Sequence, residues 1–340
     1  MSDYQIVGAI GSPYSRKLRA VFRYRRIPHL WINQGSPEAE GLPPARVDLL
    51  PRLITTDAQG ARVARVDSTP LIRELEAHAR GIRSVVPSEP ALAFLDALIE
   101  DYADEWLTKA MFHYRWAHAP DIAKASAILP RWAGSQQPDA RLEKAGRAFA
   151  ARQIGRLAVV GSNAATGPVI ERSFLRLIGI LDRHLRDHRF VLGARPGTGD
   201  FGLFGQLTQL ALFDPTPMGL VLEHAPRVHA FADQLDDLSG LEPRPDGWLA
   251  IDALPESFRA LLAEIGRCYA PFLLANADAL ARGRDRVECR IDGEAWSQSP
   301  FPYQGKCLDA LRDAYSALDA SARVRVDRAL AGTGCETLFG

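Results

Sequence analysis

Ser12-Pro13-Tyr14-Ser15 has the outline of a C-P-Y-C redox motif with a hydroxyl in place of each thiol. Thiol–disulfide exchange needs one thiolate to attack and a second thiol to resolve, and serine supplies neither. The four cysteines, Cys268, Cys289, Cys307 and Cys335, all lie in the last quarter of the chain. Dithiol chemistry on the early loop is therefore excluded. No C-x-x-C spacing occurs among them, so a zinc ribbon is disfavoured, no disulfide framework is implied, and buried free thiols are expected.

Other residues with chemical potential are spread along the chain. Asp67-Ser68 opens the helical stretch "STPLIRELEAHARG", where free N–H groups and the positive dipole end favour an anion; either residue can equally serve as a plain helix cap. Phe112, Tyr114 and Trp116 cluster near the end of a long helix and either line an apolar cleft or fill the core. His184 and His188 have the spacing of a metal pair on a helix end, but no third ligand accompanies them, so a solvated face is expected and no metal site is assigned. "GARPGTGD" is glycine-rich without the lysine of a phosphate loop, which discards nucleotide binding. Cys335 would be reactive only if the tail folded over a site, and inert burial is expected.

The elements that must position these residues follow from periodicity. "YQIVGAI" reads as a strand, Gly11-Ser12-Pro13 as a turn, and "SRKLRAVFRYRR" as a helix. "HLWIN" is a second strand; "RLITT" and "ARVARVD" form a hairpin through "DAQG", and the Asp67-Ser68 helix follows. This β-α-β, connection, β-β-α order predicts a mixed sheet with helices packed on it. After a linker-like "IRSVVPSEPA", the chain turns to long amphipathic helices at "LAFLDALIEDYADEWLTKAMFHYRWAH" and "IERSFLRLIGILDRHLRD". "GDFGLFGQLTQLALF" is apolar nearly all round and belongs at the centre of the helical part. Further on, helices are expected at "ESFRALLAEIGRCYAPFLLANADALARG" and "GKCLDALRDAYSALDASARVRVDRALAG", with a hairpin between them turning at Asp292-Gly293.

With 340 residues, 47% hydrophobic, the chain can bury a substantial core. Basic and acidic residues balance at 41 each, so neither nucleic acid nor an anionic membrane is advertised as a partner. The start lacks the pattern of a signal peptide, and no stretch approaches the roughly 20 apolar residues of a membrane span. A soluble, cytoplasmic protein is expected.

Taken in order, Ser-Pro-Tyr at the first helix, Pro51-Arg52-Leu53 entering the third strand, Asp67-Ser68 at the next helix and "VLGARPGTGDFGLFGQL" resemble a glutathione transferase over roughly residues 1–240. The resemblance implies a two-domain α+β fold: a thioredoxin-like glutathione-binding domain (1–84), an all-helical substrate domain (91–240), and an extension (241–340) resembling the tail of a little-described bacterial branch. It implies glutathione as cosubstrate, a small electrophilic substrate, a homodimer and a detoxification role. It further implies that Leu50, before a cis Pro51, presents its backbone to the cysteinyl part of glutathione; the alternative is an ordinary trans proline at a strand start. Ser68 and Asp67 would take the γ-glutamyl end. Ser12 or Ser15 would donate a hydrogen bond to the glutathione sulfur and favour its thiolate, Ser12 being preferred because Pro13 suits the first helical turn; the alternative for either is a cap without catalytic role. Phe112, Tyr114 and Trp116 would supply the electrophile's pocket, and Asp101 would approach a partner's glutathione. Tyr14 is expected to pack on the second domain. Asp200 has the family's place in the buried helix, but Gly197 replaces the usual Ser/Thr three residues before it. A noncatalytic binding or scaffold protein of the same fold is the second reading.

Overall fold

The computed structural model describes residues 3–78 and 81–340. Strand β1 (Gln5–Gly8) pairs in parallel with β2 (Leu30–Asn33) after the helix α1 (Pro13–Tyr24), and antiparallel with β3 (Arg52–Thr56). β3 turns into β4 (Arg62–Val66), giving the order β2-β1-β3-β4, and α2 (Ser68–His78) follows. Period-two alternation decides what each face buries. Ile6 and Leu53 join the main core with Leu18, Val21 and Phe22 of α1, whereas Val7, Ile32 and Ile54 close the other face against Ala39 and Leu42. The first part of the chain is therefore the mixed sheet with helices that its pattern predicts.

The "linker" is pinned rather than loose. Arg83 donates to the carbonyls of Tyr24, Leu238 and Leu241, and Arg195 donates to those of Ile82 and Ser84. Val85 is buried between them.

The long helix expected after it runs from α3 (Pro90–Tyr102) through a π-helical turn (Ala103–Leu107) into α4 (Thr108–Ala117). α5 (Ala119–Ala133) and α6 (Asp139–Ile154) then form a hairpin, and α7 (Gly167–His184) returns alongside α4. All thirteen residues of α8 (Thr198–Leu210) are buried, as its uniform apolarity requires. Gly205 lets α1 approach it: a Cβ there would lie 2.7 Å from the Pro13 carbonyl oxygen. The missing Ser/Thr at the start of α8 has a replacement. Asp96 of α3 accepts from the Thr198 N–H and hydroxyl and from the Gly199 N–H, and a Cβ at Gly197 would sit 2.4 Å from its Oδ1. Asp200 accepts from the Val191 and Gly197 N–H groups. Together the two carboxylates satisfy N–H groups that a helix start leaves open.

Two short helices, α9 (Pro215–His224) and α10 (Pro226–Gln234), precede the last hundred residues. There α11 (Glu256–Ala281) packs on α7 and α3. β5 (Val287–Ile291) and β6 (Glu294–Gln298) form the expected hairpin, with Asp292 (φ 55°) and Gly293 (φ 80°) both in the left-handed region that a type I′ turn demands. The final helical stretch is two helices, α12 (Pro302–Ser316) and α13 (Ala320–Leu330), because Asp319 interrupts it and caps the second through the Ala322 N–H. Both pack on α3.

The π turn aims acids inward. Glu105 is 8% exposed, with Asp101 and Asp104 close by, and α12 covers it by donating from Gln304 Nε2 to its carbonyl oxygen. Burial, reinforced by the Asp101 and Asp104 charges, pushes the Glu105 carboxyl up to about 8; burial likewise raises Asp101 to about 7. The folded chain thus holds protons that the unfolded chain releases near the ordinary carboxylate pKa, and stability falls as pH rises through that window. Urea unfolding is expected to show a loss of about 2 kcal/mol between roughly pH 6 and pH 8 from Glu105. Glu105→Gln should flatten that slope, and an unchanged slope would refute the assignment.

Candidate active site

The loop between β1 and α1 carries Ser12, the cap residue of α1. Its Oγ accepts from the Ser15 N–H at 3.3 Å, which leaves its own O–H free to donate. The loop is gripped from the helical part. Arg115 Nη1 donates to the Gly11 carbonyl at 3.1 Å, and Gln209 Nε2 donates to that of Ile10 at 3.2 Å. Arg115 is itself locked in a buried fork on both Asp214 oxygens.

Above this loop opens a cleft of about 580 Å³. Ser12, Leu50, Asn33, Gln34 and Asp48 line its sheet side; Phe112, Trp116, Leu129, Trp132 and Phe149 line its helical side. A hydroxyl donor at a helix N-terminus, facing an aromatic wall, suits an anion attached to an apolar group.

Tyr114 does not join this wall. Residues two apart on a helix lie 200° apart, so Phe112 and Trp116 share a face while Tyr114 points away, 1% exposed, against Phe174 and His118. Ser15 also lies outside the cleft lining. It is fully buried beneath Gly8, and its hydroxyl accepts from the Ala9 N–H. Tyr14 reaches the helical part, donating to the Asp104 carbonyl.

The Leu50–Pro51 peptide is cis. Continuing the β3–β4 register past Arg52↔Val66 sets Pro51 beside Asp67, which has a positive φ of 78°. Neither Asp67 nor Ser68 is part of the cleft lining. Ser68 is 3% exposed, and Asp67 Oδ2 accepts from the hydroxyl of Tyr303, on α12, at 2.6 Å. Asp101 is similarly engaged from within the chain, accepting from the Tyr269 hydroxyl at 2.6 Å.

Periodicity of the first long helix did not reveal the far wall. Ile122, Ala125, Leu129 and Trp132 do recur at three and four spacing, but Pro130 within the run masked the helix. Nor did it reveal Tyr303, because contact between residues 236 positions apart leaves no local pattern.

The remaining candidates settle as structural. His184 is 3% exposed rather than solvated: its Nε2–H donates to the Phe190 carbonyl, so Nδ1 accepts from the Ser257 hydroxyl. Both ring nitrogens are thereby engaged, which removes the His184/His188 pair as a metal site. All four cysteines are free; Cys335 is fully buried, and burial pushes its thiol up to about 12. Among the described residues no helix is long and apolar enough to cross a membrane.

Residues 141–234 match the family model of the glutathione S-transferase C-terminal domain. No curated protein matches the chain. Among solved structures, it is similar to a glutathione S-transferase from Methylobacterium radiotolerans, in complex with glutathione sulfonate, at 19% identity and TM-score 0.41, covering 71% of this chain and 94% of that one. A glutathione transferase from Pseudomonas putida, with one glutathione disulfide bound per subunit, aligns at 13% identity and TM-score 0.39, covering 68% and 86%. FzlA from C. crescentus aligns at 16% identity and TM-score 0.40, covering 77% and 92%. Residues 141–234 thus carry the C-terminal domain of the glutathione S-transferase family, and they follow a β2-β1-β3-β4 sheet that leads into α2 and sit in a helical bundle built around α8.

Proposed function

We propose that the protein binds glutathione in the cleft and activates its thiolate through the Ser12 hydroxyl, for attack on a small electrophile held against Phe112 and Trp116. The observation that carries this reading is the position of Ser12: cap of α1, in the cleft lining, with its O–H available to a sulfur anion. Hydrogen bonding and the helix N-terminus both favour a thiolate over a thiol whose ordinary pKa is about 8.5. Leu50 would meet the cysteinyl backbone, and Asp67 and Ser68 the γ-glutamyl end.

A second reading draws on Tyr303. Its hydroxyl occupies Asp67, so the extension covers the γ-glutamyl end and makes a noncatalytic binding protein of the same fold. Calorimetry with glutathione separates the two. The transferase reading expects saturable binding, weakened about tenfold or more by Ser68→Ala through loss of a hydrogen bond to a charged group. It also expects Ser12→Ala to leave affinity near the native value while raising the bound thiol's pKa. Absence of saturable binding at millimolar glutathione in the native chain, with binding gained by Tyr303→Phe, would establish the covered site instead. The homodimer belongs to the same proposal and is read by sedimentation.

A further inference from the structure

Away from the cleft lining, His113 on α4, His118 just past its end and Glu171 in the second turn of α7 bring three ligand atoms within 4.8 Å of one another. His113 Nε2 lies 3.2 Å from Glu171 Oε1, and His118 Nε2 lies 3.1 Å from the same oxygen. Tetrahedral zinc, with bonds of about 2.0–2.2 Å to nitrogen and oxygen, sets neighbouring ligand atoms roughly 3.3 Å apart. Both nitrogen–oxygen spacings fit ligands around one ion, and without an ion the His113 ring nitrogen hydrogen-bonds to Glu171 Oε1 directly.

The details agree. His118 Nε2 is enclosed and has no hydrogen-bond partner, although the carboxylate oxygen is 3.1 Å away. Tyr114 stacks on the His118 ring, 5.3 Å between centroids and 22° between planes, and so fixes its orientation. Ser162 Oγ lies 2.8 Å from His113 Nδ1, the place of the outer partner that orients a metal-bound histidine. A hydroxyl can accept the Nδ1–H that a metallated Nε2 requires. The Glu171 and His118 side chains are 38% and 30% exposed, which gives an ion a way in.

We propose that His113, His118 and Glu171 form a zinc site, with a fourth position open to water, that ties the end of α4 to the second turn of α7. Two histidines and one carboxylate suit zinc, and the site is independent of the glutathione reading.

The full-length protein, stripped with EDTA and dialysed, is titrated with Zn2+ alone by calorimetry. One site per chain is expected. Ser162→Ala should weaken it roughly tenfold as the loss of an outer partner, and Glu171→Gln or His118→Ala by more than about 100-fold. Circular dichroism checks that each variant is folded. Since the histidine variant can perturb the packing, Co2+ bound to the native protein provides the second reading: a tetrahedral d–d spectrum without thiolate charge transfer. Lack of stoichiometric binding, a thiolate-type cobalt spectrum, or unchanged affinity in folded Glu171→Gln would overturn the site.

Discussion

Replacing Arg115 with methionine is expected to lower the unfolding free energy by about 3–5 kcal/mol. Arg115 is 3% exposed and Asp214 fully buried, so the variant leaves a carboxylate in the interior without its paired cation, with only the charge of Lys124 still acting on it. Burial already pushes the Asp214 carboxyl up against the pull of Arg115, which shows how far solvation loss dominates there. The variant also frees the Gly11 carbonyl, and with it the loop that carries Ser12. Denaturant unfolding measures the first effect, and faster amide exchange across residues 9–12 the second. Adding Asp214→Asn should recover most of the stability, because removing both charges is far less costly than stranding one. The loop should stay loose in that double variant, since the bond to Gly11 is still missing. Arg115→Lys should fall between, keeping the charge without the planar fork. If Arg115→Met is as stable as the native chain, the buried pair does not have the role assigned here.

Lys17→Met is expected to be comparably severe, about 3–5 kcal/mol. The ammonium is fully buried between Glu100 Oε1 at 2.6 Å and Asp104 Oδ2 at 2.5 Å, and it donates to Thr69 Oγ1 at 2.9 Å. Burial works against its charge, but the Asp104 and Glu100 carboxylates outweigh burial and hold Lys17 protonated well above its ordinary range. Without it, two carboxylates confront each other in the interior. Thr69, next to Ser68, also loses a partner, so α2 loses part of its anchorage to α1. The triple variant Lys17→Met/Glu100→Gln/Asp104→Asn should regain a large part of the loss, and double-mutant cycles between Lys17 and each acid should give strong coupling. Near-additive effects would show that the three charges act separately.

Both clusters bear on how much of the molecule is legible in its residues. The short apolar runs "YQIVGAI" and "RLITT", bounded by turn residues, and the alternation in "ARVARVD" specify the strands. The apolar run of α8 specifies its central place because a helix apolar all round has no face to give to solvent. The Asp292-Gly293 hairpin follows from local backbone preference alone. By contrast, Lys17, Arg115, Glu105 and Asp96 read as ordinary charged residues on amphipathic helices, the kind that solvent normally covers. What made them interior is the packing of elements more than eighty positions apart, as in Lys17 against Asp104 and Arg115 against Asp214.

The candidate site divides along the same line. Ser12 at a helix start, the proline entering β3 and Asp67-Ser68 at the next helix are short-range features, visible because caps and turns are made by neighbours in the chain. Helix periodicity even contained the separation of Tyr114 from Phe112 and Trp116, since 200° of rotation cannot keep all three on one face. Only the tertiary structure could set Tyr303 on Asp67, close the cleft with α5 and α6, or bring Glu171 to His113 and His118. The sequence by itself determined the elements and their caps, through interactions among residues a few positions apart. The tertiary structure decided which charges are buried, which serine faces the cleft and where the extension lies, because those depend on desolvation and contact between surfaces that no local pattern encodes.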